Sequence, residues 1–355
     1  MSALFSPLTL RGVTAAHRAW VAPMCQYSAV DGIPNDWHFV HLGGFAVGRA
    51  AMVIVEATGV TPAGRITPGC LGIWSDAHVE AFRPITRFLE SQGAVPAIQL
   101  AHAGRKASTG VPWVGGRVEH ADGGWQPVAP SALAFDEGWH VPRALTHGDL
   151  EQLLDAWEAA TRRALAAGFR AVEVHGAHGY LMHEFLSPLS NQRTDEFGGS
   201  LQNRMRFPLE VLRRVRAAWP DELPLLLRIS ADEWVPDGFG PDEAVVFARE
   251  AAAVGVDLVD VSSGGNNPAQ KIPAGPGYQV HLAEQVRREA GVATGAVGMI
   301  TQAAQAEQIV AGGQADVVLL ARELLRDPHW FLRAAQELGA DVAWPNQYLR
   351  ARPFA

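Results

Sequence analysis

The sequence predicts an α/β fold, a single (β/α)8 or TIM barrel, from three observations. Short apolar runs alternate with helical patterns along nearly the whole chain. The runs are apolar at successive positions rather than at alternate ones, which is typical of parallel strands buried on both faces. The chain has 355 residues, 48% hydrophobic and 19% charged, and barrels commonly use such a length as one unit. We therefore expect residues 1–355 to form one domain.

Eight apolar runs predict the strands in chain order. They lie at residues 19–22, 52–56, 95–99, 171–174, 224–229, 257–262, 293–297 and 316–321. Between them lie helical patterns, several with capping residues at their ends. These patterns include residues 78–93, 147–168, 241–255, 281–291 and 301–313. Such alternation predicts a parallel sheet, either closed into a barrel or opened as a doubly wound sheet.

The segment after the first strand distinguishes these two folds. A doubly wound dinucleotide-binding sheet carries G-x-G-x-x-G there, whereas this chain reads PMCQYS at residues 23–28. No G-x-x-x-x-G-K-[ST] phosphate loop occurs either. The barrel is therefore favoured, with a long Gly-, Pro- and Trp-rich insertion after the third strand at residues 104–145. We expect this insertion to be a capping loop or subdomain, and residues 340–355 to form a C-terminal tail.

Composition restricts the partners and the compartment. The net charge is −8, from 29 basic and 37 acidic residues, and no run of five basic residues occurs, so we expect no nucleic-acid partner. The two cysteines, Cys25 and Cys70, indicate free thiols in a reducing compartment. No secretory signal is visible and no apolar stretch is long enough to cross a membrane. We expect a cytoplasmic protein that binds small molecules.

Active sites of such barrels lie at the carboxyl ends of the strands. The residues at or just after each predicted strand end are rich in polar side chains, which a purely structural rim does not require. They are Pro23, Met24, Cys25, Ala57, Thr58, Gln99, His175, His178, Arg228, Ser262, Gly298 and Arg322. Together they predict a binding or catalytic site.

Two histidines follow the fourth strand, His175 and His178, with Tyr180 two residues further on. A zinc site normally uses two histidines four residues apart on a helix, together with a third ligand. Here the two histidines are three residues apart, and we expect the Glu173 side chain to point away from them. No metal is therefore expected. A structural role is the ordinary alternative. Two neutral imidazoles can also bind one oxygen and stabilise negative charge on it, with Tyr180 as proton donor, and we favour this interpretation.

An oxygen clamp of this kind needs a source of electrons, and other rim residues indicate FMN. Arg228 can neutralise an anionic ring, and Gln99 can hydrogen-bond a flat heterocycle. Gly298 and the Ala321–Arg322 pair follow the seventh and eighth strands, where this fold usually binds phosphate. A ring that carries one phosphate and exchanges hydride is FMN.

Six segments carry a resemblance to a known family. They are APMCQYSAVDGIPNDWH (22–38), ITPGCLGIWSD (66–76), QLAHAGRKAS (99–108), EVHGAHGYLMHEFLSPLSNQRTDEFGGSLQNRMRF (173–207), GAVGMIT (295–301) and LLARELLRDPHW (319–330). They resemble the Old Yellow Enzyme family, most closely its bacterial branch of thermophilic-like members and xenobiotic reductases. The resemblance implies an FMN-dependent NAD(P)H oxidoreductase, an NADPH dehydrogenase or ene-reductase. Such an enzyme reduces the C=C bond of activated alkenes, such as α,β-unsaturated carbonyls and nitroalkenes, by ping-pong hydride transfer from NADPH or NADH.

The resemblance also implies roles for individual residues. It implies flavin contacts for Ala22, Pro23, Met24, Cys25, Ala57, Gln99, Arg228, Ala321 and Arg322. It implies substrate contacts for Tyr27, His175 and His178, with Tyr180 as proton donor. Cys25 matches the branch's redox-tuning cysteine, and Lys106 matches a branch motif without an assigned step. Arg350 in NQYLRARPFA resembles a tail arginine that reaches the neighbouring subunit's site, which implies a homodimer or homotetramer.

Two other classes of function remain open at this point. A flavin-free barrel isomerase or aldolase would use histidine and Lys106 as acid and base on a phosphorylated small molecule, and it would be colourless. A binding or storage protein that carries flavin would be coloured, but NADPH would not bleach it.

Overall fold

The computed structural model describes residues 2–352, and its centre is a closed barrel of eight parallel strands. The strands are β1 (Ala19–Val21), β2 (Met52–Gly59), β3 (Val95–Ala101), β4 (Ala171–Gly176), β5 (Leu225–Ser230), β6 (Leu258–Ser262), β7 (Ala293–Ala296) and β8 (Val317–Leu320). Neighbours in sequence are neighbours in the barrel, and β8 closes it by pairing with β1 through Leu319 and Trp20. The predicted (β/α)8 barrel is confirmed, with all eight strands at the predicted places.

Within residues 2–352, ten helices connect or follow these strands. They are α1 (Asp36–Val47), α2 (Asp76–Ser91), α3 (His147–Ala166), α4 (Leu181–Leu186), α5 (Leu201–Ala218), α6 (Pro241–Ala253), α7 (Val280–Ala290), α8 (Ala303–Ala311), α9 (Arg322–Arg326) and α10 (Trp330–Glu337). The capping signals account for several boundaries. In α3, for example, the Thr146 hydroxyl accepts the Asp149 N–H, and the Asp149 carboxylate accepts the Thr146 N–H.

Four strands, β2 to β5, extend further toward their carboxyl ends than the apolar runs suggest. Ala57 and His175 therefore lie inside strands rather than after them, and Gln99 lies before the end of its strand. The pairing of β2 with β3 also shifts between Val55 and Thr58. An irregularity of this kind bends a strand locally, here at the edge where functional residues are expected.

Smaller elements lie outside the barrel. A hairpin of Leu8–Leu10 and Val13–Ala15 precedes it. The insertion at 104–145 begins with a 3-10 turn, Gly104–Lys106, and contains a short pair of parallel strands, Val128–Ala129 and Arg143–Ala144. The tail ends in a 3-10 helix, Asn346–Ala351. Residues 353–355 of the predicted tail lie outside the described part of the chain.

The apolar core lies between the strands and the surrounding helices. Large side chains such as Phe82 of α2, Trp157 of α3 and Trp330 of α10 are fully buried there. The burial of such large apolar side chains removes much apolar surface from water and stabilises the fold. Between residues 2 and 352, no helix has the length and apolar character needed to cross a membrane.

Candidate active site

Polar side chains collect at the carboxyl edge of the barrel. In the strand register, His175 of β4 pairs with Arg228 of β5, and Ser230 at the end of β5 pairs with Ser262 of β6. A cleft of about 290 Å³ opens beside them at the ends of β5 to β8. Its lining includes Arg228, Ser262, Gly298, Ala321 and Arg322. The structure thus brings together predicted residues from four strands.

The turn after β4 presents two imidazoles and a phenol together. The His175 ring lies with its centroid 5.2 Å from the His178 ring and 5.1 Å from the Tyr180 ring. His178 has a left-handed backbone, with φ of 60°. Its N–H donates to the Ser230 hydroxyl at 2.9 Å, and its Nε2 lies 2.8 Å from the Ser262 hydroxyl. The first contact holds the His178 backbone, and the second holds the His178 ring beside Ser262 of the cleft lining.

Burial determines the protonation states of these three groups. It lowers the pKa of both His175 and His178 well below the usual value, and the nearby Arg228 guanidinium lowers them further. Burial also raises the pKa of the Tyr180 phenol well above its usual value. At neutral pH the turn therefore offers neutral imidazoles, which can donate hydrogen bonds, and a phenol that retains its proton.

Four buried polar groups lie on successive strands below the histidines. The Gln99 amide donates to the Glu173 carboxyl at 2.7 Å, and Arg228 Nε lies 3.0 Å from the Asp260 carboxylate. Burial raises the pKa of both Glu173 and Asp260, and the charge of Asp260 raises that of Glu173 further. Arg228 thus pairs with Asp260 inside the barrel, and its charge also lowers the pKa of Glu173 against the effect of burial.

The expected orientation of Glu173 was wrong. Glu173 and His175 are two residues apart on β4, and residues with this spacing face the same side of a strand. Glu173 is fully buried and contacts Gln99, a predicted flavin contact. Glu173 and Asp260 are therefore polar groups of the site that the sequence reasoning missed, although strand alternation could have identified both.

The segment after β1 is held by a buried carboxylate of β2. Glu56 accepts the N–H of Gln26 at 2.9 Å and lies 3.5 Å from Nε2 of His38. Within this segment Ala22 is buried, and the thiol of Cys25 is half-buried. Burial, and secondarily the charge of Glu56, raises the Cys25 pKa well above its usual value. Cys25 is therefore a neutral thiol at physiological pH.

The insertion reaches the same segment. The Trp113 ring packs edge-on against the Tyr27 ring, with centroids 5.9 Å apart. Tyr27 has a left-handed backbone, with φ of 52°, and burial raises the pKa of its phenol. Trp125, further along the insertion, donates its indole N–H to the Ala63 carbonyl at 2.8 Å, in the loop after β2. The insertion thus contacts both the segment after β1 and the loop after β2.

The ends of β7 and β8 provide a shallow cradle in the cleft. Gly298 has φ of 121°, a conformation that other residues avoid, and an added Cβ would lie 2.8 Å from the Gln279 amide nitrogen. Ala321 and Arg322 lie across the cleft at the start of α9. A backbone cradle beside a cation, with Arg228 in the same lining, suits a flat ring that carries one phosphate.

Comparison with known proteins identifies the family. The model of the NADH:flavin oxidoreductase / NADH oxidase family matches residues 3–341. The chain belongs to this family. One relative, the NADPH dehydrogenase of Geobacillus sp. (strain WCH70), is 48% identical to this chain over 353 residues, and the match covers 99% of each chain. The NADPH dehydrogenase of Geobacillus thermodenitrificans is 47% identical, with the same coverage.

Solved structures agree with this assignment. Morphinone reductase in complex with tetrahydroNAD has a TM-score of 0.78 and 27% identity, and the match covers 97% of this chain and 92% of that one. The Old Yellow Enzyme homologue from Zymomonas mobilis has a TM-score of 0.77 and 27% identity, with 99% of both chains covered. The Old Yellow Enzyme resemblance is confirmed, as are the expected FMN cofactor and NAD(P)H donor at the level of the family. The chain is an oxidoreductase, and the isomerase and storage alternatives are set aside.

The cleft lining contains neither the histidines and Tyr180 of the turn after β4 nor the predicted contacts of β1 to β3, and Arg350 and Lys106 also lie outside it. Arg350 is exposed on the 3-10 helix of the tail, where Tyr348 packs against His329 with ring centroids 5.6 Å apart. Lys106 is half-buried behind the turn that carries His178. Among residues 2–352, the side chains close enough to share a metal are His147, Asp195 and Glu196, not the histidines of the β4 turn.

Proposed function

We propose that this protein is an FMN-dependent ene-reductase, which uses NAD(P)H to reduce the C=C bond of activated alkenes such as α,β-unsaturated carbonyls and nitroalkenes. The observation that supports it most is the turn after β4. There, two neutral imidazoles and a protonated phenol lie together beside the cleft. FMN, when bound, accepts hydride from the nicotinamide and supplies it to the alkene.

His175 and His178 bind the carbonyl or nitro oxygen of the alkene. Negative charge grows on this oxygen as hydride reaches the β-carbon, so imidazole N–H donors bind the transition state better than the substrate. The loss of one such donor typically costs about 3 kcal/mol. The Ser262 hydroxyl at 2.8 Å holds the His178 ring in position for this contact.

Tyr180 donates the proton to the α-carbon. The α-carbon has carbanion character once hydride has arrived, and a phenol that stays protonated at neutral pH can supply its proton. Tyr27 contacts the substrate from the opposite segment, and its packing against Trp113 supports a role of residues 104–145 in covering the site.

The remaining rim residues bind FMN in this proposal. Gln99 and Arg228 contact the ring, and Gly298, Ala321 and Arg322 hold the phosphate. The residues Ala22, Pro23, Met24, Cys25 and Ala57 contact the ring from β1 and β2. We further propose one catalytic domain, a cytoplasmic location and a homodimer or homotetramer in which Arg350 reaches the neighbouring site.

The visible absorption spectrum of the purified protein tests this function. We expect a yellow protein that bleaches with NADPH under anaerobic conditions and regains its colour when cyclohexenone is added. A protein that stays colourless after addition of FMN would exclude the flavin assignment. A protein that bleaches but is not reoxidised by enones or nitroalkenes would exclude the alkene substrate.

A further inference from the structure

Lysine is rare in this chain. Of its 29 lysine and arginine residues only two are lysines, Lys106 and Lys271. Lys271 is exposed, whereas Lys106 is half-buried behind the β4 turn. This chain has arginine at almost every basic position, yet it has a lysine at position 106, whose side chain has no step in the proposed mechanism. The contacts of Lys106 explain why an ammonium group suits this position.

The Lys106 ammonium connects two loops of the barrel edge. Its Nζ donates to the His178 carbonyl at 3.0 Å and to the Gly265 carbonyl at 2.9 Å. Both carbonyls belong to residues with left-handed backbones, with φ of 60° and 94°. The two loops also touch directly, because a Cβ on Gly265 would lie 2.6 Å from the His178 Cα.

Two aromatic rings complete the surroundings of this ammonium. Its Nζ lies 5.1 Å from the centroid of the Tyr180 ring and 4.6 Å from that of Phe135, which belongs to the insertion. Cations at such distances over aromatic faces are attracted to the ring. Lys106 therefore contacts both the phenol of the site and the turn that precedes this phenol.

We propose that Lys106 is a positioning residue, which holds the turn at residues 177–180 so that Tyr180 can deliver its proton to the substrate. This inference rests on the proposed function, because it assigns the purpose of the contact from the role of Tyr180. The left-handed backbone of His178 is disfavoured for a residue with a Cβ, and the turn keeps this conformation only if its surroundings hold it. The Ser230 hydroxyl accepts the His178 backbone N–H and so supports the same turn from the other side of the peptide, whereas the Ser262 hydroxyl contacts the His178 ring.

The geometry favours lysine over arginine. A single nitrogen reaches both carbonyl oxygens, which an ammonium can do because its three hydrogens point in different directions from one atom. A guanidinium carries its donors in a wide planar fork, which suits carboxylates and phosphates instead. Burial also lowers the pKa of Lys106 to about 8, so the ammonium form prevails at neutral pH.

Hydrogen exchange on the FMN-loaded enzyme tests the contact directly. We compare Lys106→Met with the wild type and with Lys271→Met, which removes the other, exposed lysine. In Lys106→Met we expect the amides of residues 178–180 to exchange about tenfold faster or more, with the strands β3 and β5 unchanged. Unchanged exchange in the turn would overturn the proposal.

Substrate comparison separates positioning from general disruption. After hydride arrives, a nitro group keeps the negative charge on its oxygens, so proton transfer can follow later; an enone depends more on a donor in place. In Lys106→Met we expect reoxidation of the reduced enzyme by cyclohexenone to slow about tenfold or more, and reoxidation by 1-nitrocyclohexene to slow less than about threefold. Equal slowing with both substrates would overturn the proposal.

A further variant, Lys106→Arg, and the wild-type enzyme complete the test. Lys106→Arg keeps the positive charge but not the two hydrogen bonds from one nitrogen to the His178 and Gly265 carbonyls, so we expect its reoxidation by cyclohexenone to stay slow. Reoxidation of Lys106→Arg at the wild-type rate would show that charge alone matters and would overturn the proposal. A wild-type enzyme that cyclohexenone does not reoxidise would instead exclude the proposed function. A wild-type enzyme that it does reoxidise, with equally fast Lys106→Met, would overturn the inference alone.

Discussion

Burial, more than any neighbouring charge, determines the protonation states of His175, His178 and Tyr180 at the turn after β4. The same low-polarity surroundings keep the imidazoles neutral and the phenol protonated, because both charged forms lose hydration there. An oxygen clamp and a proton donor need these states together. The turn therefore needs no metal ion and no charged partner to prepare its groups for the proposed reaction.

Replacement of Tyr180 by phenylalanine removes the proton donor but keeps the ring. We expect enone turnover by Tyr180→Phe to fall by about 10²–10⁴, the usual contribution of a general acid, with FMN content unchanged. Because the Tyr180 pKa is raised, the wild-type rate should show no loss from phenol ionisation up to about pH 9. Tyr348→Phe, at an exposed tyrosine, is the control, and a wild-type rate in Tyr180→Phe would refute the role.

The ion pair of Arg228 and Asp260 limits how much positive charge the site presents. Asp260→Asn removes the carboxylate that lies 3.0 Å from Arg228, so the guanidinium should stabilise an anionic ring more strongly. We expect the two-electron reduction potential of the bound flavin to rise, by about 30 mV for each 1.4 kcal/mol of added stabilisation. Potentiometric titration of both proteins measures this, and an unchanged or lower potential would contradict it.

At the scale of elements, α4 is unusual because all six of its residues are buried, including two that can carry charge. His183 lies 3.0 Å from the Glu233 carboxylate, and Glu184 accepts the Arg105 N–H at 2.7 Å. An added Cβ at Gly104 would meet the Glu184 carboxyl, so only glycine fits beside it. This polar layer lies under the β4 turn and fixes the start of the insertion.

The pH dependence of stability should reveal the buried Glu184 carboxyl. Burial raises its pKa from the usual 4.5 to about 8, so folding favours the protonated form. Its contribution is fully present below pH 4.5 and is lost as the pH rises to about 8, because the unfolded chain ionises first. Glu184→Gln removes this titration while keeping an acceptor for the Arg105 N–H.

We therefore expect Glu184→Gln to gain stability relative to the wild type between pH 5 and pH 8. Each unit of pKa shift corresponds to about 1.4 kcal/mol, so a gain of a few kcal/mol is within reach. Urea unfolding at both pH values measures the difference, with the exposed Glu80→Gln as control. Parallel stability curves for Glu184→Gln and the wild type would mean that Glu184 is ionised in the folded protein.

Local patterns predicted most elements of the fold and missed those without a clear pattern. Buried parallel strands are continuous apolar runs, so all eight were visible in the sequence. Helix α1 was not predicted because DWHFVHLGGFAV has two glycines and is apolar on several faces, with Trp37 and Val40 exposed. Helix α5 contains Pro208, which usually ends a helix. Packing against the barrel overrides both local signals.

At the scale of the whole molecule, the predicted strand ends and histidines did meet at one edge, because barrel topology alone brings strand ends together. The ion pair of Arg228 with Asp260 and the bonds of Lys106 to the His178 and Gly265 carbonyls could not be predicted in this way. They depend on side-chain direction and on backbone carbonyls of distant loops, which leave no periodic trace in the sequence.

Arg350 tests whether the proposed assembly completes the site. It lies on an exposed 3-10 helix, and its neighbours Tyr348 and Leu349 are 38% and 50% exposed, an amount of apolar surface that a second subunit could cover. If Arg350 acts on the neighbouring site, Arg350→Ala should lower kcat/KM for enones without loss of FMN. The same variant should then be complemented by a subunit that is inactive for another reason.

Co-expression of Arg350→Ala and Tyr180→Phe subunits provides this complementation test. In a mixed dimer the subunit with intact Tyr180 receives Arg350 from its partner, so one of two sites is complete. Random pairing should restore about a quarter of wild-type activity, whereas each variant alone stays near its own low level. The control is a mixture of separately purified variants at a concentration where subunits do not exchange. If co-expression gives only the average of the two variants, Arg350 acts within its own subunit or not at all.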